Sequence, residues 1–190
     1  MKNSLIIFST VVGVLSLSSC GETKKEQDTT MPMQNDSRMS GEVRAPGNLD
    51  DGEATGNPEF EDEEMATVYG WYLEIKSALV NSNPTEAREA AKNLKDALQA
   101  MKEAENALEA SKEIAKTANL NIQRIAFSDL SATMEDILEG ELTSGKIYKQ
   151  FCPMAFGGVG DYWFASSKEV RNPYIGERML DCGRVADSIQ

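Results

Sequence analysis

MATVYGWYLEIKSALVNSNPTEAREAAKNLKDALQAM, residues 65–101, decides the fold class. Met65, Val68, Tyr72, Ile75 and Leu79 recur at spacings of three and four, which places them on one face of a helix. Asn81-Ser82-Asn83-Pro84 then stops that helix and starts another. Asn83 suits an N-cap, Pro84 the first helical position, and Glu86 stands where a capping box places an acid. The second helix is expected to carry Ala87, Ala90, Ala91, Leu94, Ala97, Leu98, Met101 and Leu108 on its buried side. So many alanines predict close helix packing rather than a ligand cavity.

Downstream, the pattern weakens around Thr117 to Asn121. A further helix resumes with Ile122, Ile125, Ala126, Leu130, Met134, Ile137 and Leu138 on its apolar side and ends near Gly140. Periodic segments of this length joined by short connections predict a mainly α domain, an antiparallel bundle of three to four helices. After Gly140 the character changes. Residues 145–190 hold 6 of the 14 glycines, 7 of the 13 aromatic residues and two of the three cysteines. The runs Ile147-Tyr148 and Tyr162-Trp163-Phe164, separated by turn residues, predict a loop-rich C-terminal cap with short strands.

Upstream, residues 20–64 read as an acidic, disordered tether. Between Gly21 and Glu64 there are 13 Asp and Glu against 4 Lys and Arg, and few large apolar residues. The tether holds most of the chain's net charge of −12 and leaves only −4 for the domain at 65–190. Residues 1–19 read as a lipoprotein signal peptide: Lys2, an apolar run from Leu5 to Leu17, then small residues before Cys20. Leu17-Ser18-Ser19-Cys20 resembles a bacterial lipobox, so Cys20 is the expected lipidation site. The expected location is the periplasm or cell surface, with a lipid anchor in the membrane.

Composition excludes several chemistries. An acidic chain argues against a nucleic-acid partner, whose phosphates demand Lys and Arg. The chain has no histidine, which removes Ser-His-Asp and Cys-His catalysis and every His-ligated metal site. A catalytic Cys152 would therefore lack its usual activating base, and the chain is read as a non-enzyme. Gly157-Gly158-Val159-Gly160 has no following Lys and is no phosphate cradle. Arg171, Arg178 and Arg184 either pair locally with Glu169, Glu177 and Asp181 or dock a carboxylate from outside; local pairing is the default.

What remains is sulfur. Cys152-Pro153-Met154 and Met179-Leu180-Asp181-Cys182 each bring a thiol and a thioether within one turn. Four such donors make a soft set suited to Cu(I), with Trp163 as an aromatic wall beside it. The alternative is a structural Cys152–Cys182 disulfide in an oxidising compartment, with the methionines as ordinary core. Met31, Met33 and Met39 form a looser cluster in the tether, more simply read as scattered linker residues.

Several motifs carry a resemblance: Cys152-Pro153-Met154-Ala155, Asp161-Tyr162-Trp163, Arg171-Asn172-Pro173-Tyr174-Ile175-Gly176 and Met179-Leu180-Asp181-Cys182-Gly183. Together with Phe127-Ser128-Asp129-Leu130-Ser131 and Tyr72-Leu73-Glu74-Ile75-Lys76, they resemble an extracytoplasmic helical domain family of unknown function. That family also occurs fused to periplasmic adaptor subunits of heavy-metal efflux pumps. The resemblance implies a domain that handles copper or a related soft metal, with efflux components as partners.

Overall fold

The computed structural model describes Asp50 and residues 52–102 and 104–190, all within one unit spanning residues 44–190. The expected signal peptide, Cys20 and the three tether methionines lie outside the described residues. In chain order the elements are β1 (Glu59–Phe60), α1 (Glu63–Val80), α2 (Pro84–Leu98), α3 (Glu105–Lys116) and α4 (Leu120–Leu138). They are followed by β2 (Leu142–Ser144), β3 (Ile147–Cys152), β4 (Asp161–Ala165) and β5 (Arg184–Ile189). The domain is mainly α, with short antiparallel strands after the last helix.

The helix starts follow local chemistry. Asp62 accepts the Glu64 N–H at 2.8 Å, and Asn83 accepts the Thr85 and Glu86 N–H groups at 3.2 Å. Asn119 does the same for α4, accepting from Asn121 at 3.0 Å. Each cap satisfies donors that the helix itself leaves open.

Two expectations about the helices need correction. The alanine-rich helix does not run through to Leu108; it stops at Leu98 and α3 begins at Glu105. Residues 99–104 contain neither Pro nor Gly, and Ala104 offers no capping side chain. The break is therefore tertiary in origin: α3 packs against both α2 and α4, burying Ala107, Ala110 and Ile114. The second correction concerns α4. Its buried face is Ala126, Phe127, Leu130, Met134 and Leu138, whereas Ile122 and Ile125 are 46% and 54% exposed. Gln123 and Arg124 take the inward positions instead.

The tether boundary also moves. Residues 52–62 were expected to be solvated leash, yet β1 pairs antiparallel with β2, and the segment before it is bonded to the domain. Gly56 donates to Ser166 O at 2.8 Å and accepts from Lys146 N–H at 2.9 Å. Gly145 has φ +77°, and a Cβ there would lie 2.1 Å from Asn57 O, so that approach requires glycine. Asp50 ion-pairs with the buried Lys76 at 2.6 Å. Polar composition concealed this segment because it docks mainly through backbone hydrogen bonds and one ion pair, with Phe60 against the Tyr69 ring, centroids 5.6 Å apart, as its aromatic contact.

The helices and strands meet around Tyr72 of α1, which is fully buried. Its hydroxyl bonds Ser131 of α4 at 2.8 Å and accepts the Phe164 N–H of β4 at 3.0 Å, while its ring stacks on Phe127 at 5.0 Å. One phenol thus ties three elements together and carries the orientation of α1 into the cap.

Candidate functional site

The cap is a three-stranded antiparallel sheet in the order β4-β3-β5. Cys152 ends β3, opposite Asp161 of β4, and Phe151 pairs with Arg184 of β5. This register brings the Cys152 end of β3 beside the loop that precedes β5, which carries Cys182. The two thiols, 30 positions apart in sequence, lie side by side. Both are free, Cys152 buried and Cys182 partly exposed. The neighbouring Cys152 thiol, then burial, push the Cys182 thiol up from its ordinary range, and the Met154 N–H facing the sulfur opposes them in part.

Asn172 holds this arrangement in place. It is fully buried, and its Nδ2 donates to Cys182 O at 2.9 Å. Its Oδ1 accepts the N–H groups of Tyr174 and Ile175 at 2.8 and 3.0 Å, and its own N–H donates to Leu180 O at 2.8 Å. The Cys182 loop is thereby clamped to the Asn-Pro-Tyr turn. Tyr174 continues the chain of contacts, donating its hydroxyl to Tyr162 O at 2.6 Å. In the sequence the signal for this role is the place of Asn172 before Pro173, where Asx turns are common.

The four sulfur residues divide into two sets. Cys152 and Cys182 meet. Met154 and Met179, each about half exposed, border a neighbouring hollow of about 430 Å³ that neither cysteine lines. Trp163, expected beside the four sulfurs, does not line the methionine hollow; it is fully buried, meets Tyr174 edge-on at 5.8 Å, and its ring lies 3.2 Å from where a Cβ would stand at Gly183, next to Cys182. Phe156 and Tyr174 are the aromatic residues that line the hollow. Among the described residues, no group of three or more His, Cys, Asp or Glu side chains converges as a metal cage would require.

The arginines split likewise. Arg171 pairs with Asp181 at 2.7 Å and with Glu169, and Arg184 lies over the Phe151 ring at 5.3 Å. Arg178 has no carboxylate within ion-pairing distance among the described residues. Ser128 of α4 bonds Asp161 at the start of β4, fixing the sheet against the helix.

Comparison with known proteins places part of the chain. No curated protein and no solved structure matches it. Residues 68–145 match a family model described as a protein of unknown function (DUF3347), a span that runs from α1 through β2 and stops short of both cysteines of the cap.

Proposed function

We propose that the domain handles a soft metal ion, with Cu(I) as its cargo, through the paired thiols of Cys152 and Cys182. The observation that carries this reading is their adjacency: two unbridged thiols from separate segments, one buried and one reachable from solvent. Two thiolates without imidazole or carboxylate make a donor set that a soft, low-coordinate ion uses and a hard ion does not. Met154 and Met179, first grouped with the thiols, lie at a hollow where Arg124 and Arg178 add positive charge. Positive charge opposes a cation, so the thioethers are secondary donors in this reading and the thiols the ligands. Anchoring through Cys20 at the periplasmic or outer face of a membrane, with efflux components as partners, completes the proposal and rests on the sequence.

The same adjacency supports a second reading, a structural bridge. Loss of two protons and two electrons to an external oxidant would join Cys152 Sγ to Cys182 Sγ. Closing a loop of this length constrains the unfolded chain by about 3–4 kcal/mol in the entropy model. Thiol titration separates the readings. In the metal reading, the reduced chain acylated at Cys20 shows two reactive thiols that Cu(I) protects and a chelator restores. A protein isolated with no titratable thiols that, once reduced, takes up no Cu(I) would leave only the bridge. The anchor has its own test: fatty-acid labelling is expected for the wild type and lost in Cys20→Ala, and equal labelling of both would overturn it.

A further inference from the structure

The hollow beside the thiol pair has features that a cation site does not need. It lies between the start of α4 and two short 3-10 turns, Ala155–Gly157 and Gly176–Met179. Ile125, Met154, Phe156 and Met179 rim it, each 40–54% exposed, and together they account for four of the exposed large apolar side chains of the domain. Phe156 has φ +49° and ψ +46°, a left-handed conformation that a bulky side chain adopts only when its surroundings impose it. There its ring leans on Tyr174, with centroids 5.1 Å apart, and forms part of the wall.

The charged groups are less usual. Arg124 is only 8% exposed. Its Nε donates to Pro173 O at 2.9 Å, and its Nη2 donates to Leu79 O at 3.1 Å and Ser82 Oγ at 3.2 Å. These bonds orient the guanidinium without neutralising it, and Nη1 has no protein acceptor among the described residues. Gly176 sits against it with φ +65°; a Cβ there would come within 2.8 Å of Nη2. Arg178 lines the same hollow, and no carboxylate of the described residues ion-pairs with either arginine. Glu177 lines an adjoining hollow that both arginines also border, and it ion-pairs with neither. Burial and the Arg178 charge lower the Arg124 guanidinium from its ordinary value, as expected for two cations with no counter-ion. A buried arginine with an open fork beside exposed apolar walls matches a ligand with a flat anionic head and an apolar body.

We propose that this hollow binds an apolar or aromatic carboxylate, its head on Arg124 and Arg178 and its body against Phe156, Met154, Met179 and Ile125. Neither cysteine lines the hollow, so loss of Cu(I) binding in Cys152→Ser/Cys182→Ser leaves this proposal standing. A free small acid and the C-terminal carboxylate of a polypeptide ending in an apolar residue present the same chemistry.

The test is calorimetry on the full chain, at low ionic strength, with phenylacetate and its neutral isostere phenylacetamide. The same titration uses a short peptide ending in phenylalanine, with its carboxyl free or amidated. Arg178→Gln removes an exposed charge without touching the core. Phenylacetate is expected to bind wild type and to weaken about tenfold or more in Arg178→Gln, with phenylacetamide weaker by a similar factor. Tighter binding of the free-carboxyl peptide than of phenylacetate supports the proposal and assigns the ligand to a polypeptide end; the reverse order supports it and assigns a small acid. Arg124→Lys, checked by circular dichroism for retained helix, is expected to weaken binding because it loses the fork. No heat from either carboxylate at millimolar concentration, or equal binding by wild type and Arg178→Gln, overturns the proposal.

Discussion

At the scale of single residues, the cap depends on a few buried polar groups whose partners are all named. Asn172 makes five hydrogen bonds, three through its side chain and two through its backbone, and exposes nothing, so Asn172→Ala removes three side-chain bonds and strands buried backbone groups. Such a loss is expected to cost about 2–4 kcal/mol in urea unfolding; a cost near zero would show that the clamp on Cys182 is dispensable. Lys76 is a sharper case. Burial lowers its ammonium from the ordinary value, and the Asp50 carboxylate opposes that shift. Removing Asp50 leaves a buried unpaired charge, and Asp50→Ala is expected to cost about 3 kcal/mol. Asp50→Ala/Lys76→Met is expected to recover most of that loss, because no charge is then stranded. A double variant as unstable as the single one would contradict this account of the segment before α1.

At the scale of elements, what was legible follows what is local. Asn83-Pro84 announced the start of α2 because capping and the fixed φ of proline act within one turn. Asn119 caps α4 in the same way, and Asn119→Ala is expected to cost about 1 kcal/mol, read as a shift in thermal midpoint. The gap between α2 and α3 was not legible, since it is set by packing between helices and no residue in it is a breaker. The inner face of α4 was misread for a related reason. Periodicity assigned Ile122 and Ile125 to the core, but Gln123 turns inward and donates to Pro84 O and Thr117 O, both at 2.9 Å. One buried amide so placed ties α4 to the start of α2 and the end of α3. Strand β5 went unnoticed because Arg184–Ile189 carries little apolar signal, and its order comes from pairing with β3. Two of the four sulfur residues came together as thiols, while the methionines followed the exposed turns on which they sit.

At the scale of the whole molecule, α1, α4 and the cap share one aromatic cluster. Burial pushes the phenols of Tyr69, Tyr72 and Tyr174 well above their ordinary value. In the unfolded chain these groups lose their protons above about pH 10, whereas in the folded domain they keep them. Their contribution to stability is therefore complete below that pH and falls as pH rises, by about 1.4 kcal/mol per pH unit for each group. Alkaline titration is expected to show tyrosinate absorbance from these three residues and loss of helical circular dichroism in one transition. Tyrosinate forming from these three residues while the helices persist would mean that the cluster opens independently of the fold.

The cluster also fixes where the cap lies against the helices, and with it the meeting of Cys152 and Cys182 on which the functional reading depends. Competitive Cu(I) titration of the reduced full chain against a chromogenic chelator tests that reading most directly. One equivalent is expected to bind. Affinity is expected to fall about a hundredfold or more in Cys152→Ser/Cys182→Ser, corresponding to about 2.7 kcal/mol or more, and to change little in Met154→Ala/Met179→Ala. Equal Cu(I) binding by the wild type and the double-serine variant would contradict it.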